Sequence, residues 1–189
     1  SEAVVARRSI RSFLDTPVSD EQISQLLEKA ARAPSGGNVQ PWRVFVINGP
    51  SMPKFLQFLA DTDPRETPAY EIYPKELPSP YRDSRFKVGE DMYKLLNIPR
   101  DDKPSRFAHL ARNFKFFDAP AAFFCFIDKT MGPPQWSDLG MFLQTFMLCA
   151  GRRARHLRTR SLGKQITSGS QLCRRRRQLN AFLWHGHWP

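Results

Sequence analysis

Two short segments near the start of the chain carry residue types able to hold a charged, planar ligand. The first is Arg7, Arg8, Ser9, Ile10, Arg11, which places three guanidinium groups and a hydroxyl just ahead of Phe13 and Leu14, two residues able to anchor it. Guanidinium forks match phosphate oxygens in pairs, and a further arginine can balance negative charge that develops on an electron-accepting ring. The same arginines also fit a plain solvated basic face. The second segment runs Ala33, Pro34, Ser35, Gly36, Gly37, Asn38, Val39, Gln40, Pro41, Trp42. Its two glycines let backbone approach a flat ligand, and Ser35, Asn38 and Gln40 offer hydrogen bonds to ring heteroatoms. A glycine C-cap followed by a proline turn is the structural alternative for this segment.

Neither segment contains a nucleophile with a neighbouring base. His109 lies among aromatic residues and reads as a core or surface residue, and His156, His185 and His187 lack the carboxylates or cysteines that would complete a metal site. No catalytic acid or base and no metal site is named from these residues.

The elements that must position these segments can be read from periodicity and punctuation. Ser19, Asp20, Glu21, Gln22 has the form of a capping box, and Ile23, Leu26, Leu27, Ala30 and Ala31 recur at helical spacing until Pro34, Gly36 and Gly37 stop the pattern. The second segment thus lies between a helix end and a strand, Arg43 to Ile47, which Asn48, Gly49 and Pro50 close. Ser51 and Pro53 open another helix, through about Ala60. Five prolines between Pro64 and Pro80, with Tyr70, Tyr73 and Tyr81, predict an irregular stretch that reads either as a substrate cover or as a surface loop. Helical patterning returns over Phe86 to Leu96 and Ser105 to Phe117, a strand follows over Ala121 to Ile127, and a helix begins at Trp136 or Ser137. From Leu139 to Ala150 that helix is apolar nearly all round, which predicts burial in a core or a dimer interface.

The 189 residues, 41% of them hydrophobic and 12% aromatic, suffice for one domain with a core. No apolar run approaches the roughly 20 residues of a membrane span, so a soluble, cytoplasmic protein is expected. Cys125, Cys149 and Cys173 form no close pair and read as reduced thiols. The net charge of +11 is unevenly placed: residues 151–189 hold ten of the 29 Lys and Arg and no acidic residue, leaving 19 basic and 18 acidic residues before them. The first 150 residues are nearly neutral.

Taken together, Arg-Arg-Ser-x-Arg-x-Phe followed from Ala33 by Ala-Pro-Ser-Gly-x-Asn-x-Gln-Pro-Trp resembles the FMN-dependent nitroreductase family, and the likeness extends over residues 1 to about 150. The resemblance implies an α+β fold with a central mixed sheet flanked by helices, an obligate homodimer, and one FMN at each end of the dimer interface. It implies ping-pong chemistry, in which hydride from NAD(P)H passes through the flavin to nitroaromatic, quinone or similar electron-poor small molecules. By it, Arg7, Arg8, Ser9 and Arg11 would hold the phosphate, ribityl chain and pyrimidine edge of FMN. Pro34, Ser35, Gly36, Asn38 and Gln40 would line the isoalloxazine, partly from the partner subunit, and Gly132 to Met141 looks like the start of the family's long interface helix. A dehalogenating or flavin-handling relative is the alternative within the fold, and the chemistry around Tyr70 to Tyr81 would separate the two.

After Ala150 the chain departs from that pattern. The family's Glu-Ala-Trp-like loop and Leu-Phe-Cys-Gly-Met-Ala-like strand are missing, and Gly151 to Pro189 is basic, with Arg174 to Arg177 consecutive. Alone, this composition would fit nucleic-acid binding or a localisation signal. Codons can, however, be chosen for Arg153 to Leu162 that, read one base over, give Gly-Arg-Gly-Thr-Cys-Ala-Arg-Glu-Ala-Trp. The same offset can give Val-Arg-Asn-Phe around residues 170 to 173 and Thr-Leu-Phe-Cys-Gly-Met-Ala-Ile-Gly over Asn180 to Trp188. The expectation is a frameshift near Ala150, an incomplete FMN-binding domain over 1–150, and an aberrant, disordered tail over 151–189. An inactive product follows as one alternative and a basic nucleic-acid-binding protein, acting through the tail, as another.

Overall fold

A computed structural model describes residues 2–62 and 71–153. The described elements are α1 (Glu2–Ala6), α2 (Asp20–Ala30), a 3-10 turn (Gly36–Asn38), β1 (Arg43–Asn48), α3 (Ser51–Asp61), α4 (Tyr81–Leu95), α5 (Lys103–Ala111), a 3-10 segment (Arg112–Asp118), β2 (Ala121–Phe126) and α6 (Pro133–Arg153). They fall into two compact units, one containing residues 2–62 and 117–153 and the other residues 71–116.

The first unit holds the sheet. β1 and β2 pair antiparallel from Arg43 opposite Phe126 to Asn48 opposite Ala121. This pair is the sheet of the α+β fold among the described residues. Successive side chains of a strand face opposite ways, and both faces here are apolar. Val44, Val46, Phe123 and Cys125 pack on the cluster formed by α2 and α6, whereas Phe124 meets Phe55 of α3 at 5.4 Å between ring centroids.

Helix α2 begins as its sequence predicts. Ser19 Oγ accepts from the Gln22 amide at 3.2 Å and the Ser19 amide donates to Gln22 Oε1 at 3.0 Å, which closes the capping box. Its apolar stripe of Ile23, Leu26, Leu27 and Ala30 is buried against Leu139, Phe142, Phe146 and Ala150 of α6. Phe142, at 1% exposure, is the largest fully buried side chain among the described residues, and burying a side chain of this kind contributes about 1.5–3 kcal/mol. Asn48 locks the far end of β1 to the start of α2, its Nδ2 donating to Val18 O at 2.7 Å and to Asp20 Oδ1 at 2.9 Å.

Helix α6 is not buried all round. Trp136 and Met141 are 45% and 38% exposed. It also starts earlier than its apolar run, at Pro133, because Gly132 N–H is satisfied by Gln135 Oε1 at 3.1 Å and the two prolines tolerate the first turn.

The second unit is a helix pair, α4 and α5. Helix α4 starts at Tyr81, five residues before the expected Phe86, directly after Pro80; Ser79 Oγ donates to Asp83 Oδ2 at 2.6 Å and steadies the first turn. Helix α5 ends at Ala111 rather than Phe117. The chain continues as a 3-10 segment in which Phe116, Phe117 and Asp118 take positive φ, a conformation that no right-handed α-helix accommodates. The candidate cover is irregular over residues 71–80, where Arg85 lies 4.2 Å over the Tyr73 ring; Tyr70 and the expected disorder beyond Arg153 fall outside the described residues.

Candidate functional site

The second sequence segment folds into a self-stapled turn. Ala33, Pro41 and Trp42 are buried and hold its ends, while Gly36 to Gln40 are exposed. Gly37, Asn38 and Gln40 have φ of 58°, 54° and 47°, so three of these residues sit in the left-handed region. Gly37 takes that conformation freely and Asn tolerates it better than most residues, which leaves Gln40 needing outside help. The help comes from hydrogen bonds: the Gln40 amide donates to Ser35 Oγ at 3.0 Å, and Gln40 Nε2 donates to Asn38 Oδ1 at 3.0 Å. Among the described residues the Ser35 hydroxyl proton and the Asn38 side-chain NH2 remain as donors. Pro34 stands exposed at the start of the turn.

The Gly36 N–H is already engaged. It points to the carboxylate of Asp138, 3.3 and 3.2 Å from its two oxygens. By sequence alone Asp138 falls in the start of α6 with no role of its own; the available signal is that it is the sole acidic residue in Pro133–Arg153. One helical turn on, Phe142 stacks on Trp42 with centroids 4.8 Å apart. Asp138 and Phe142 therefore share one face of α6 and meet the two ends of the turn.

The arginine segment follows α1. Arg7, Arg8 and Ser9 are exposed and Arg11 is half-buried. Arg8 donates to the carbonyls of Val5 and Arg7, and Arg11 donates to Ser9 O at 3.3 Å. Among the described residues none of the three arginines makes an ion pair, so none of those residues neutralises their charge. No hydrogen bond joins this segment to the Ser35–Gln40 turn among the described residues.

Other titratable groups sit away from these segments. Cys125, in β2, has its thiol pushed up to about 12 by burial. Asp128 accepts from the Thr130 amide at 2.9 Å and from its hydroxyl, which hold its carboxyl below the usual carboxylate range in the loop ahead of α6. His109 is buried in the helix pair, edge-on to Tyr93 at 6.0 Å. Among the described residues no group of His, Cys, Asp or Glu could hold a metal ion, and no helix is long and apolar enough to cross a membrane.

The model of the nitroreductase family matches residues 4–155 of the chain. The chain belongs to the nitroreductase family. Its nitroreductase relatives include a 4-nitrobenzoate reductase of Pseudomonas putida, 39% identical over 155 residues, which cover 80% of this chain and 68% of the relative. A nitrobenzene nitroreductase of Ectopseudomonas oleovorans is 34% identical over 78% of this chain and 66% of its own. Among solved structures, the FMN and NADPH-dependent nitroreductase NfnB from sphigopyxis sp. strain HMH matches with a TM-score of 0.75 and 41% identity, covering 80% of this chain and 70% of that one. The FMN-dependent nitroreductase NfnB from Mycobacterium smegmatis, in complex with NADPH, matches with a TM-score of 0.74 and 25% identity over 80% of this chain and 69% of that one. This nitroreductase-family chain thus spans about two thirds of the length of the curated relatives it matches.

Proposed function

We propose that this chain is an NAD(P)H-dependent flavin nitroreductase that uses FMN to reduce nitroaromatic, quinone or similar electron-poor small molecules, as a cytoplasmic homodimer. The observation that carries the reading is the preformed Ser35–Gln40 turn, in a chain whose nitroreductase match spans residues 4–155. The residues present fit the cofactor. The heteroatom edge of an isoalloxazine is mostly acceptor, and the turn keeps the Ser35 hydroxyl and the Asn38 amide as donors beside a backbone with glycine at two positions. Arg7, Arg8 and Arg11 supply positive charge that no carboxylate of the described residues neutralises, as a phosphate requires.

In this assignment Arg7, Arg8, Ser9 and Arg11 bind the phosphate, ribityl chain and pyrimidine edge. Pro34, Ser35, Gly36, Asn38 and Gln40 line the ring. Gly36 contributes its lack of a side chain and its bond to α6 rather than a donor to the ligand. When bound, FMN supplies hydride transfer at the ring, so the protein needs no nucleophile, acid or base of its own. Its side chains orient the two reactants, the nicotinamide and then the acceptor, over one ring face in turn. Trp136 and Met141 stand exposed on α6 and are open to a subunit contact, and a dimer would bring a partner's segment to each site.

The basic stretch over 151–189 belongs to the same reading. Its residues back-translate, one base over, to family-like text, and we assign it to a frameshift near Ala150; the nucleotide sequence of the gene tests this, and a gene without such text in that frame overturns it.

The test of the function is purification without added flavin, a visible spectrum, identification of the released cofactor, and NADH and NADPH oxidation with 4-nitrobenzoate, nitrobenzene or a quinone as acceptor. A yellow protein releasing FMN and consuming nicotinamide only with acceptor present is expected. A colourless chain that takes up no added FMN overturns the reading for this molecule.

A further inference from the structure

Among the described residues, every hydrogen bond of the Ser35–Gln40 turn but one stays within the turn. The 3-10 bonds run from Asn38 N to Ser35 O at 3.0 Å and from Val39 N to Gly36 O at 3.2 Å, and the Gln40 bonds close the turn from the side. Only the Gly36 N–H leaves it, to a carboxylate 102 positions away in sequence. That carboxylate, Asp138, is 5% exposed and lies on a helix otherwise free of acidic residues. Burying a carboxylate costs free energy unless a donor compensates it, and the donor here is the turn's own amide. The neighbouring Trp42–Phe142 stack also ties the turn to α6, but apolar contact is weakly directional and does not fix where an N–H points.

From this geometry we infer that Asp138 is the positioning residue of the candidate flavin turn. By accepting the Gly36 N–H it sets how the turn stands on α6, and with that the direction of the Ser35 and Asn38 donors. The role rests on the flavin reading for its functional meaning. It requires an acceptor oxygen at position 138 rather than negative charge as such, since the partner is a neutral amide. Asparagine at this position retains such an oxygen; alanine does not.

The test uses the full chain with Asp138→Asn and Asp138→Ala, measuring FMN dissociation by flavin fluorescence and amide exchange at Gly36 by NMR. Loss of the bond is expected to raise the exchange rate of Gly36 at least about tenfold in Asp138→Ala, with amides in β1 changed far less, and to weaken FMN by at least about tenfold. Asp138→Asn is expected to stay within about threefold of the parent in both. Alanine behaving like the parent in either measurement overturns the inference, and so does asparagine behaving like alanine. If Asp138→Ala does not fold, Asp138→Asn decides, because loss of Gly36 protection or of FMN in it counts against the role. If the parent chain itself takes up no FMN, the flavin reading fails; the exchange data then still show whether Asp138 holds the turn.

Discussion

Each of the two compact units has its own kind of internal support, and the two kinds are opposite. In the unit of residues 2–62 and 117–153, α2, β1, β2 and α6 close over an apolar cluster in which Ala30 and Ala150 are fully buried and Phe142 and Phe146 nearly so. In the helix pair of residues 71–116, α4 buries no residue and a polar hub does the joining. Arg106 donates to both oxygens of Glu90 at 2.6 and 3.2 Å and to Pro99 O at 3.1 Å, and its guanidinium lies 4.2 Å over the Tyr93 ring. Asp102 caps α5 through the Ser105 amide at 3.0 Å. Apolar packing is insensitive to pH and costly to interrupt, whereas charged hydrogen bonds near solvent are individually weak and titrate. The candidate ligand turn hangs from the first kind of unit, and rigid support of that kind is what a positioned cofactor needs.

The comparison can be broken hardest at Phe142. Phe142→Ala removes a ring from the cluster and the stacking partner of Trp42, and it is expected to lower unfolding free energy by about 3–5 kcal/mol in urea titration, with FMN retention falling as the turn loosens. A loss below about 1 kcal/mol would show that the apolar cluster is not what holds this unit. Removing a directional contact at the edge of the same unit should cost less: Ser19→Ala opens the capping box, with an expected loss of about 1 kcal/mol in the same titration.

For the helix pair, the expected response is local. Glu90→Gln should leave the global unfolding midpoint nearly unchanged while amides of α4 and α5 exchange faster. The Arg106 hydrogen bond holds the Glu90 carboxyl below its usual range, and the Ser105 hydrogen bonds do the same for Asp102. A carboxylate depressed in the folded state stabilises above its unfolded pKa and loses that contribution as pH falls through the folded one. Protection of the α4 and α5 amides, taken relative to the intrinsic exchange rate at each pH, should therefore fall on acidification below about pH 4, and a flat profile would show that the hub is not electrostatic. The smallest effect is expected at Cys125. Burial raises its thiol from an ordinary 9.0 to about 12, so the protonated form favours the fold and that contribution fades only as pH rises between those values. At pH 9 iodoacetamide should label Cys125 slowly in the folded chain and rapidly in urea; fast labelling without denaturant would place the thiol outside the core.

Much of this molecule is legible along the chain because it depends on neighbours in sequence. The capping box at Ser19, the stripe of α2, the strand after Trp42 and the turn residues Ser35 to Gln40 are set by local rules of spacing, capping and backbone freedom. The boundaries that differ, Tyr81 for α4 and Ala111 for α5, are places where a flanking proline or a run of left-handed residues overrides an apolar pattern. What periodicity could not assign was direction. The apolar run of α6 has no preferred side until α2 and the sheet cover Leu139, Phe142 and Phe146 and leave Trp136 and Met141 outward. Likewise Gly36 is marked in the sequence as a place for close approach, but the group that approaches it, Asp138, lies 102 positions later. Long-range partners of this kind are chosen by how packed elements meet, which no local pattern encodes.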